Sequence, residues 1–267
     1  IHDIGFLRRP DLYDPKVRKK LKSATKRAIK KAKRLIVPSE FTKQELMSAY
    51  KVPEQEIVVT PLSANTTVFR KMEEAEIRPI LQRHRLGTKY FLFVGRLEKK
   101  KNVTTLIRAF ELFKETRGLG DPFELVFVGD PGFGQEELKK YVGLSKQKAH
   151  IKLLGYRPDE EVAALMNAAF AYVFPSWYEG FGIPNLEAMA CETPLITSDI
   201  PPHREVCGDA ALFVPPNEPE AWGHAMEKLV QDAGFRTQLI EKGKLRVQEF
   251  SWEKTAQLTW ELFRTLV

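Results

Sequence analysis

Residues 90–128 read YFLFVGRLEKKKNVTTLIRAFELFKETRGLGDPFELVFV, and the order of elements in this stretch decides the fold. Two short, mostly apolar runs, Tyr90–Val94 and Glu124–Val128, predict buried strands. The segment between them, Asn102–Thr116, predicts a helix. Strands that are apolar on both faces and joined by helices are typical of a parallel sheet covered on both sides. The stretch therefore predicts a β-α-β unit.

The same alternation continues on both sides of this unit. Further strands are predicted at Arg34–Pro38, Glu56–Thr60, Ile151–Leu154, Ala171–Phe174, Pro194–Thr197 and Ala211–Val214. Further helices are predicted at Thr42–Tyr50 with Ser39 as the cap, and at Gln135–Val142, Asp159–Ala168 and Pro184–Cys191. The charged segment Arg70–Arg85 is interrupted by Pro79 and predicts a linker. The whole pattern predicts an α/β fold with a doubly wound parallel sheet.

The composition indicates a folded protein. Hydrophobic residues make up 43% of the chain and charged residues 29%, which permits a buried core and excludes a disordered tail. No apolar run approaches the ~20 residues that cross a bilayer, and no signal peptide is visible at Ile1. The two cysteines, Cys191 and Cys207, form no Cys-x-x-Cys pair, which favours a reducing compartment. We therefore expect a cytoplasmic protein.

The net charge of +7 comes from one segment. Residues 16–34 hold eleven Lys or Arg and no acid, so the rest of the chain is net negative. Apolar residues recur there at steps of three and four, which predicts one stripe on a basic helix. The residues of this stripe are Val17, Leu21, Ala24, Ala28 and Ala32. The segment is either a solvated helix face or a helix that lies on anionic lipid at the inner face of a membrane. Nucleic acid is not expected as a partner, because no aromatic residue that could stack on a base lies among the lysines.

The loops that follow the strands hold the candidate site residues, because ligands of parallel α/β sheets bind beyond the carboxyl ends of the strands. Gly95 and Arg96 follow the first strand of the β-α-β unit, and Lys101 precedes its helix. Two cations near a helix N-terminus suit an anion. The turn at Gly155–Pro158 follows a later strand and offers backbone N–H and C=O groups with which a base could pair.

Two familiar nucleotide-binding motifs are missing from these loops. The loop that begins at Gly129 reads GDPGFG, which does not match Gly-x-Gly-x-x-Gly. The chain also has no Gly-x4-Gly-Lys-Ser/Thr sequence. These patterns argue against a dehydrogenase and against a P-loop ATPase.

The most specific segment is Pro175–Ala190, which reads PSWYEGFGIPNLEAMA. Glu179 precedes Glu187 by eight residues, and two glycines free the backbone between them. Pro184 suits the first position of a helix, so the amides of Asn185 and Leu186 are expected to point out of the helix start toward an anion. Two carboxylates, free amides and a helix dipole at one strand end predict a site for a phosphate joined to polyhydroxyl groups.

This segment, together with Gly95–Lys101, resembles the retaining glycosyltransferases of family 4, which have the GT-B fold, and their glycosyl transferases group 1 C-terminal domain. The sequences Ser39–Thr42 (SEFT) and Phe250–Trp252 (FSW) are also typical of that family. The resemblance implies one complete Rossmann-like domain and the tail of a second. Between Pro61 and Asn65 the sequence departs from the turn usual in the family, so the interdomain hinge is expected to differ.

The resemblance also implies a role for each matching residue. Arg96 and Lys101 would hold the donor diphosphate, Glu187 the ribose diol, and Glu179 with the following backbone the transferred sugar. The backbone of Tyr156 and Arg157 would contact the base, and His2 the donor sugar. The donor-binding residues predicted in this way are Gly95, Arg96, Lys101, Gly129, Tyr156, Arg157, Glu179, Gly180, Phe181, Gly182, Ile183, Asn185, Leu186 and Glu187. The residues predicted to act in catalysis are Glu179, Arg96, Lys101 and His2.

The domain division implied by the resemblance has four parts. Residues 1–69 would be the remnant of an N-terminal domain that includes the basic helix 16–34, and residues 70–88 a linker. Residues 89–250 would bind the nucleotide sugar, and residues 251–267 would form a helix that packs back on the N-terminal part. Roughly 100 residues of the N-terminal domain would be missing, so a separate chain or a missing segment would supply the acceptor side.

The implied activity is transfer of a sugar, with retention, from a GDP- or UDP-sugar to an acceptor such as a lipid-linked glycan or a polysaccharide precursor, as in mannosyltransferases. No cofactor and no metal are expected, because the chain has no Asp-x-Asp sequence to hold a divalent ion. Two alternatives stay open. One is a nucleotide-sugar epimerase on the same fold, and the other is a non-catalytic module that binds nucleotide sugar or docks on a membrane.

Overall fold

The computed structural model describes residues 1–118 and 120–266, which form an α/β protein with two parallel sheets. The strands are β1 (Leu35–Val37), β2 (Ile57–Val59), β3 (Tyr90–Val94), β4 (Glu124–Val128), β5 (Ile151–Gly155), β6 (Ala171–Phe174), β7 (Leu195–Ser198) and β8 (Leu212–Val214). The helices are α1 (Gly5–Arg8), α2 (Pro15–Lys31), α3 (Glu40–Tyr50), α4 (Glu74–His84), α5 (Val103–Arg117), α6 (Gln135–Leu144), α7 (Asp159–Ala168), α8 (Ile183–Ala190), α9 (Pro201–Cys207), α10 (Pro219–Gln231), α11 (Ala233–Val247) and α12 (Trp252–Arg264). The predicted α/β class is confirmed.

The larger sheet has the doubly wound order that the sequence predicts. Its strands lie in the order β5-β4-β3-β6-β7-β8, and every neighbouring pair is parallel. The chain therefore runs outward from β3 in one direction and from β6 in the other. The carboxyl ends of these two central strands meet where the order reverses, which is the place where such sheets bind ligands.

Aromatic side chains form much of the core of the large sheet. Phe91, Phe93, Phe127, Tyr172 and Phe174 are fully buried on the central strands. The ring centroids of Phe93 and Phe127 lie 5.8 Å apart, and those of Phe93 and Phe174 lie 6.1 Å apart. Such pairs stabilise the core beyond their burial alone. The backbone ends of β3, β4 and β6 are thus held on a rigid support.

The smaller sheet, β1 paired in parallel with β2, has a separate apolar core. That core contains Ile4, Phe6 and Leu46, all buried. Helix α12 contacts this N-terminal part, because the Thr255 hydroxyl donates to the Pro61 carbonyl and Lys33 Nζ lies 3.4 Å from the Leu266 carbonyl oxygen. The domain boundaries at residues 69, 88 and 250 stay a prediction.

The predicted break at Pro79 is wrong. Residues Glu74–His84 form the continuous helix α4, which packs against α7. The helix tolerates the proline because only one backbone donor is lost, while Glu73 and Glu76 close a capping box at its start. Ile80 and Leu81 pack on the core of the large sheet and hold the helix there. Tertiary packing therefore outweighs the local effect of proline.

The basic segment forms the helix α2, but its predicted stripe is not the face that packs. Asp14 caps the helix by accepting from the amides of Lys16 and Val17, and the helix ends at Lys31, so Ala32 lies outside its body. Thr25 is the residue of α2 that the structure buries, and Ile29 is half-buried. All five residues of the predicted stripe are exposed. Among the described residues, no helix is both long enough and apolar enough to cross a membrane.

Candidate functional site

A cleft of about 640 Å³ opens at the carboxyl ends of β3 and β4. The loops after β3, β4 and β5 form its walls together with the starts of α7 and the first turns of α8. The structure brings six of the predicted donor-binding residues together in its lining. These residues are Gly95, Arg96, Gly129, Tyr156, Arg157 and Glu187.

The floor of the cleft depends on glycine at position 129. A Cβ on Gly129 would lie 2.0 Å from the carbonyl oxygen of Gly95, and its φ of +139° disfavours other residues. The Gly95 amide donates to the Val128 carbonyl at 2.9 Å, and the Gly129 amide donates to the Gly155 carbonyl at 2.9 Å. The three loops therefore lie edge to edge, and no side chain from Gly129 fills the space above them.

Two arginines border the cleft in different ways. Arg96 is exposed, and its Nε lies 3.4 Å from the Pro131 carbonyl oxygen, so its guanidinium is available to an anion. Arg157 is held more firmly, because its Nη1 donates to the Tyr156 carbonyl at 2.6 Å and its Nε lies 3.7 Å from a carboxylate oxygen of Glu161. Arg96 is thus less constrained by protein contacts than Arg157.

Glu187 is the half-buried carboxylate of the cleft. Burial, and secondly the nearby charge of Asp159, raises the pKa of Glu187 to about 7. A carboxylate with this pKa is poised to change its charge when a ligand approaches. A ligand that donates hydrogen bonds to Glu187 would favour its ionised form.

A second cluster lies beside the cleft and centres on Glu179. Glu179 is 8% exposed, and its Oε1 accepts from Lys101 Nζ at 2.7 Å. Burial alone would raise the pKa of Glu179, but the charges of Lys101 and Lys100 lower it to about 2. A Cβ on Gly95 would lie 3.9 Å from Lys101 Cε, so the cluster adjoins the cleft.

Two charged partners in this cluster, Lys100 and Asp3, were not predicted from the sequence. Lys100 Nζ lies 3.7 Å from Glu179 Oε2 and 3.4 Å from Asp3 Oδ2. Burial opposes the charge on Lys100, but Glu179 and Asp3 together raise its pKa above the usual range. The run of three lysines at Lys99–Lys101 was the available signal in the sequence. Only the fold shows that Lys100 and Lys101 turn inward.

The loop after Glu179 presents unused backbone donors. Within the part of the chain that the structure describes, the amides of Gly180, Phe181, Gly182 and Ile183 donate to no protein acceptor. Consecutive free amides at the start of a helix form a site for an oxyanion or a polar ligand. This arrangement fits the predicted role of the loop backbone.

The Asn185 amide is not free as predicted, whereas the role of the Leu186 amide stays a prediction. The Asn185 amide donates to the Gly182 carbonyl at 3.0 Å, and both residues are fully buried. The helix begins one residue earlier than predicted, at Ile183, which moves the free donors toward the N-terminus. Among the described residues, the amides at this helix start that lack a protein acceptor are therefore those of Gly180 to Ile183.

A buried histidine lies beneath this loop, and the sequence analysis missed it as well. His203 Nδ1 lies 3.2 Å from the Ser198 carbonyl oxygen and 2.8 Å from Thr197 Oγ1. Its Nε2 has no partner among the described residues, and a Cβ on Gly182 would lie 3.3 Å from that atom. Burial lowers the pKa of His203 to about 4, so the ring is neutral at physiological pH.

The N-terminal part of the chain holds the loop from the other side. Hydroxyl groups of Ser39 and Thr42 donate to the Gly180 carbonyl at 2.6 and 3.1 Å. The His2 carbonyl also lies against this glycine, whereas the His2 residue as a whole is exposed. The SEFT sequence thus anchors the loop, and the role of the His2 side chain stays a prediction.

The geometry as a whole suits a phosphorylated polyhydroxyl ligand. The cleft offers Arg96 and Glu187, and the adjoining cluster offers Lys101, Glu179 and the free loop amides. Cations and amides bind phosphate oxygens, while carboxylates accept hydrogen bonds from hydroxyl groups.

Known proteins are similar to this chain in sequence and in fold. The family model "Glycosyl transferases group 1" matches residues 76–246. The O-antigen chain mannosyltransferase B of Escherichia coli is 32% identical over 268 residues, which cover 99% of this chain and 69% of that protein. The O-antigen chain mannosyltransferase RfbU of Salmonella typhimurium is 29% identical over 231 residues, which cover 86% of this chain and 60% of that protein.

Solved structures show the same architecture. The Anabaena protein HepE in complex with UDP and glucose has a TM-score of 0.80 at 19% identity, with 96% of this chain and 68% of that chain covered. The sucrose-phosphate synthase of Thermosynechococcus elongatus has a TM-score of 0.77 at 25% identity, with 94% and 62% covered. The predicted GT-B type of fold is confirmed. From the family match and the mannosyltransferase relatives together, the chain belongs to the glycosyl transferases group 1 family.

Proposed function

We propose that this chain carries the donor site of a retaining hexosyltransferase that moves a sugar, as in mannosyltransferases, from a GDP- or UDP-sugar to a glycan acceptor. The single observation that supports this most is the juxtaposition at the sheet's switch point. There, a nucleotide-sized cleft with Arg96 and Glu187 adjoins the buried Lys101–Glu179 pair.

Each part of the donor has a matching part of the site. The nucleoside lies in the cleft, where Tyr156 and Arg157 meet the base and Glu187 accepts from the ribose hydroxyls. The diphosphate lies between Arg96 and Lys101. The sugar lies against Glu179 and the amides that follow it, which have no protein acceptor among the described residues.

Catalysis in this proposal is mainly stabilisation of the leaving diphosphate. Negative charge grows on the phosphate oxygen as the bond to the sugar breaks, and Arg96 and Lys101 lie where they attract it. Two unit charges about 4 Å apart interact by about 4 kcal/mol at an effective dielectric near 20. Whatever share of this arises only in the transition state raises the rate about tenfold per 1.36 kcal/mol.

Retention is proposed to follow from attack on the same face of the sugar that the diphosphate leaves. The fixed diphosphate and the contacts of Glu179 would hold the sugar so that this face meets the acceptor hydroxyl. His2 would contact the donor sugar from the N-terminal part. In this scheme the carboxylate of Glu179 holds sugar hydroxyls and forms no covalent intermediate, unlike the nucleophile of a retaining glycosidase.

The acceptor is proposed to be a lipid-linked glycan or a polysaccharide precursor. Two relatives are O-antigen chain mannosyltransferases, and the chain spans 69% and 60% of their lengths. The acceptor side is therefore proposed to come from a polypeptide segment beyond these residues. A thermal-shift screen with GDP-, UDP- and ADP-sugars tests the donor site directly. No shift with any of them would refute the proposal.

Replacing each acid separately tests the assigned positions. We expect Glu187→Ala to weaken the free nucleoside diphosphate about tenfold, because hydrogen bonds from the ribose to a charged acceptor are lost. We expect Glu179→Ala to weaken binding of the nucleotide sugar by a similar factor, and binding of the free nucleoside diphosphate by less than about twofold. Isothermal calorimetry with both ligands measures the difference, and equal losses for both ligands in both variants would contradict the assignment.

We propose further that α2 holds the protein on an anionic membrane as a peripheral protein. Its exposed lysines surround the exposed stripe that includes Val17 and Leu21. Basic residues near an acidic lipid surface contribute about 1 kcal/mol each. The stripe is otherwise alanine, so charge rather than insertion is expected to dominate.

The membrane proposal predicts strong salt dependence. Binding to vesicles with acidic lipid should fall as the Debye length shortens toward ~8 Å at physiological ionic strength. A variant with glutamine at Lys19, Lys20, Lys26, Lys30 and Lys31 should leave the vesicles while its nucleotide affinity stays unchanged. Co-sedimentation at low salt measures this, and a wild-type protein that ignores such vesicles would show that α2 is only a solvated face.

A further inference from the structure

Lys100 and Lys101 share the carboxylate of Glu179 in an unequal way. Lys101 Nζ lies 2.7 Å from Oε1, and Lys100 Nζ lies 3.7 Å from Oε2. Both lysine side chains are largely buried, at 13% and 15% exposure for Lys100 and Lys101. Glu179 thus has one cation within hydrogen-bond distance, Lys101, and a more distant one, Lys100.

The two lysines differ in what else they can contact. Lys101 lies beside Gly95 at the edge of the cleft, where the diphosphate is proposed to bind. Lys100 is turned toward the N-terminal part, 3.4 Å from Asp3 Oδ2, with its Nζ 5.9 Å from the centre of the Tyr13 ring. Asp3 is itself fixed, because the Gly5 amide donates to its Oδ1 at 2.8 Å.

Binding of a diphosphate would change the balance at Glu179. The four side chains Asp3, Lys100, Lys101 and Glu179 carry two negative and two positive charges. If a phosphate oxygen pairs with Lys101, Lys100 is the remaining cation close to Glu179. A buried carboxylate without a cation favours its protonated form, which accepts hydrogen bonds from sugar hydroxyls less strongly.

We propose that Lys100 is a positioning residue that keeps Glu179 ionised and oriented for the sugar while the diphosphate occupies Lys101. This inference rests on the proposed function, in which Glu179 receives the sugar of the donor. Asp3 holds Lys100 in place from the N-terminal part. Lys100 thereby links that part of the chain to the sugar-binding side of the site without touching the donor.

Other groups that face Glu179 leave this role to Lys100. His203 on α9 is neutral at physiological pH, since burial lowers its pKa to about 4. Burial raises the pKa values of the fully buried Tyr172 on β6 and of the half-buried Tyr13 near the N-terminus, so neither phenol carries a charge there. Asp3 is negative and opposes the ionisation of Glu179 rather than supporting it.

The experiment compares Lys100→Met with the matched variant Lys99→Met, which removes the same charge from the exposed neighbour in the same turn. Calorimetry uses the nucleotide sugar that gives a thermal shift with the wild-type protein in the donor screen. Each variant is titrated with this nucleotide sugar and with the corresponding free nucleoside diphosphate. We expect Lys100→Met to weaken binding of the nucleotide sugar about tenfold and binding of the free nucleoside diphosphate less than about twofold. Lys99→Met should change neither affinity.

Two further measurements separate this role from a merely structural one. The affinity of Lys100→Met for the nucleotide sugar should fall toward low pH at a higher midpoint than that of the wild type, because Glu179 is protonated more readily. In a Glu179→Gln background, Lys100→Met should have no additional effect. Lys100→Arg should restore most of the affinity for the nucleotide sugar, since it retains the charge.

Three results would overturn the inference. Equal weakening of both ligands would show that Lys100 binds phosphate directly. An undiminished effect of Lys100→Met in the Glu179→Gln background would show that Lys100 does not act through Glu179. A folded Lys100→Arg variant that binds the nucleotide sugar as weakly as Lys100→Met would show that the charge of Lys100 is not what matters. If wild-type protein binds no nucleotide at all, the proposed function itself fails, which is a different outcome from any of these.

Discussion

Replacing both Arg96 and Lys101 by alanine is expected to weaken nucleoside diphosphate binding at least about 100-fold, because each charge-assisted hydrogen bond contributes about 1.5–3 kcal/mol. Arg96 is exposed at the rim of the cleft, and Lys101 lies between the cleft and Glu179. Each single variant should lose about tenfold, since the other cation still faces the diphosphate. Isothermal calorimetry with GDP or UDP measures these losses.

The two single variants should nevertheless differ. Lys101→Ala also removes the 2.7 Å contact with Glu179, so it should change the pH dependence of nucleotide-sugar binding, whereas Arg96→Ala should not. The variant Arg78→Ala/Lys99→Ala removes two exposed cations elsewhere and is the matched control. An unchanged affinity in the Arg96/Lys101 double variant would show that the donor site lies elsewhere.

The sheet and the cleft could be predicted because their signals are local. Short apolar runs such as Tyr90–Val94 and Ala171–Phe174, separated by helical patterns, favour buried parallel strands, and the loops after parallel strands share one edge. Gly129 and Glu187 therefore line the same cleft. Their separation in the sequence does not matter, because the strand order brings them together.

The remainder depends on contacts between distant segments. Helix α4 persists through Pro79 because Ile80 and Leu81 bury themselves on the large core, which no local propensity can show. Lys100 was indistinguishable from Lys99 in a run of three lysines, and only its contacts with Glu179 and Asp3 make it part of the site. The partner of Asp3 lies almost one hundred positions away, and a single sequence carries no sign of it.

The basic helix shows the same limit in another form. Periodicity correctly predicts that residues 16–31 form a helix, but it cannot say which face the rest of the protein covers. The stripe of Val17 and Leu21 is the more apolar choice, yet the structure buries Thr25 instead. Ile29, one turn further along the helix, is half-buried and packs on the core of the smaller sheet, so the covered face runs through Thr25 and Ile29.

The anchoring of the loop after Glu179 predicts a second large effect, at Gly180. A Cβ on Gly180 would lie 1.8 Å from the His2 carbonyl oxygen and 3.0 Å from Asp3 Cβ, so the loop and the N-terminal segment would have to separate. That separation would also strain the hydrogen bonds that Ser39 and Thr42 donate to the Gly180 carbonyl. Overpacking typically costs about 1–3 kcal/mol, and we expect Gly180→Ala at the upper end.

Gly180→Ala should therefore lower the unfolding temperature by roughly 6–12 °C and weaken the nucleotide sugar more than about tenfold, because the loop amides and Glu179 move together. The free nucleoside diphosphate should bind within about threefold of wild type, since the cleft proposed to hold the nucleoside lies on the other side of Lys101. Gly143→Ala is the matched control, because nothing lies within 4 Å of a Cβ at that position of α6. Differential scanning calorimetry and titration of both ligands measure these effects. If Gly180→Ala binds the nucleotide sugar as tightly as Gly143→Ala, the contact with His2 does not hold the loop in its binding conformation.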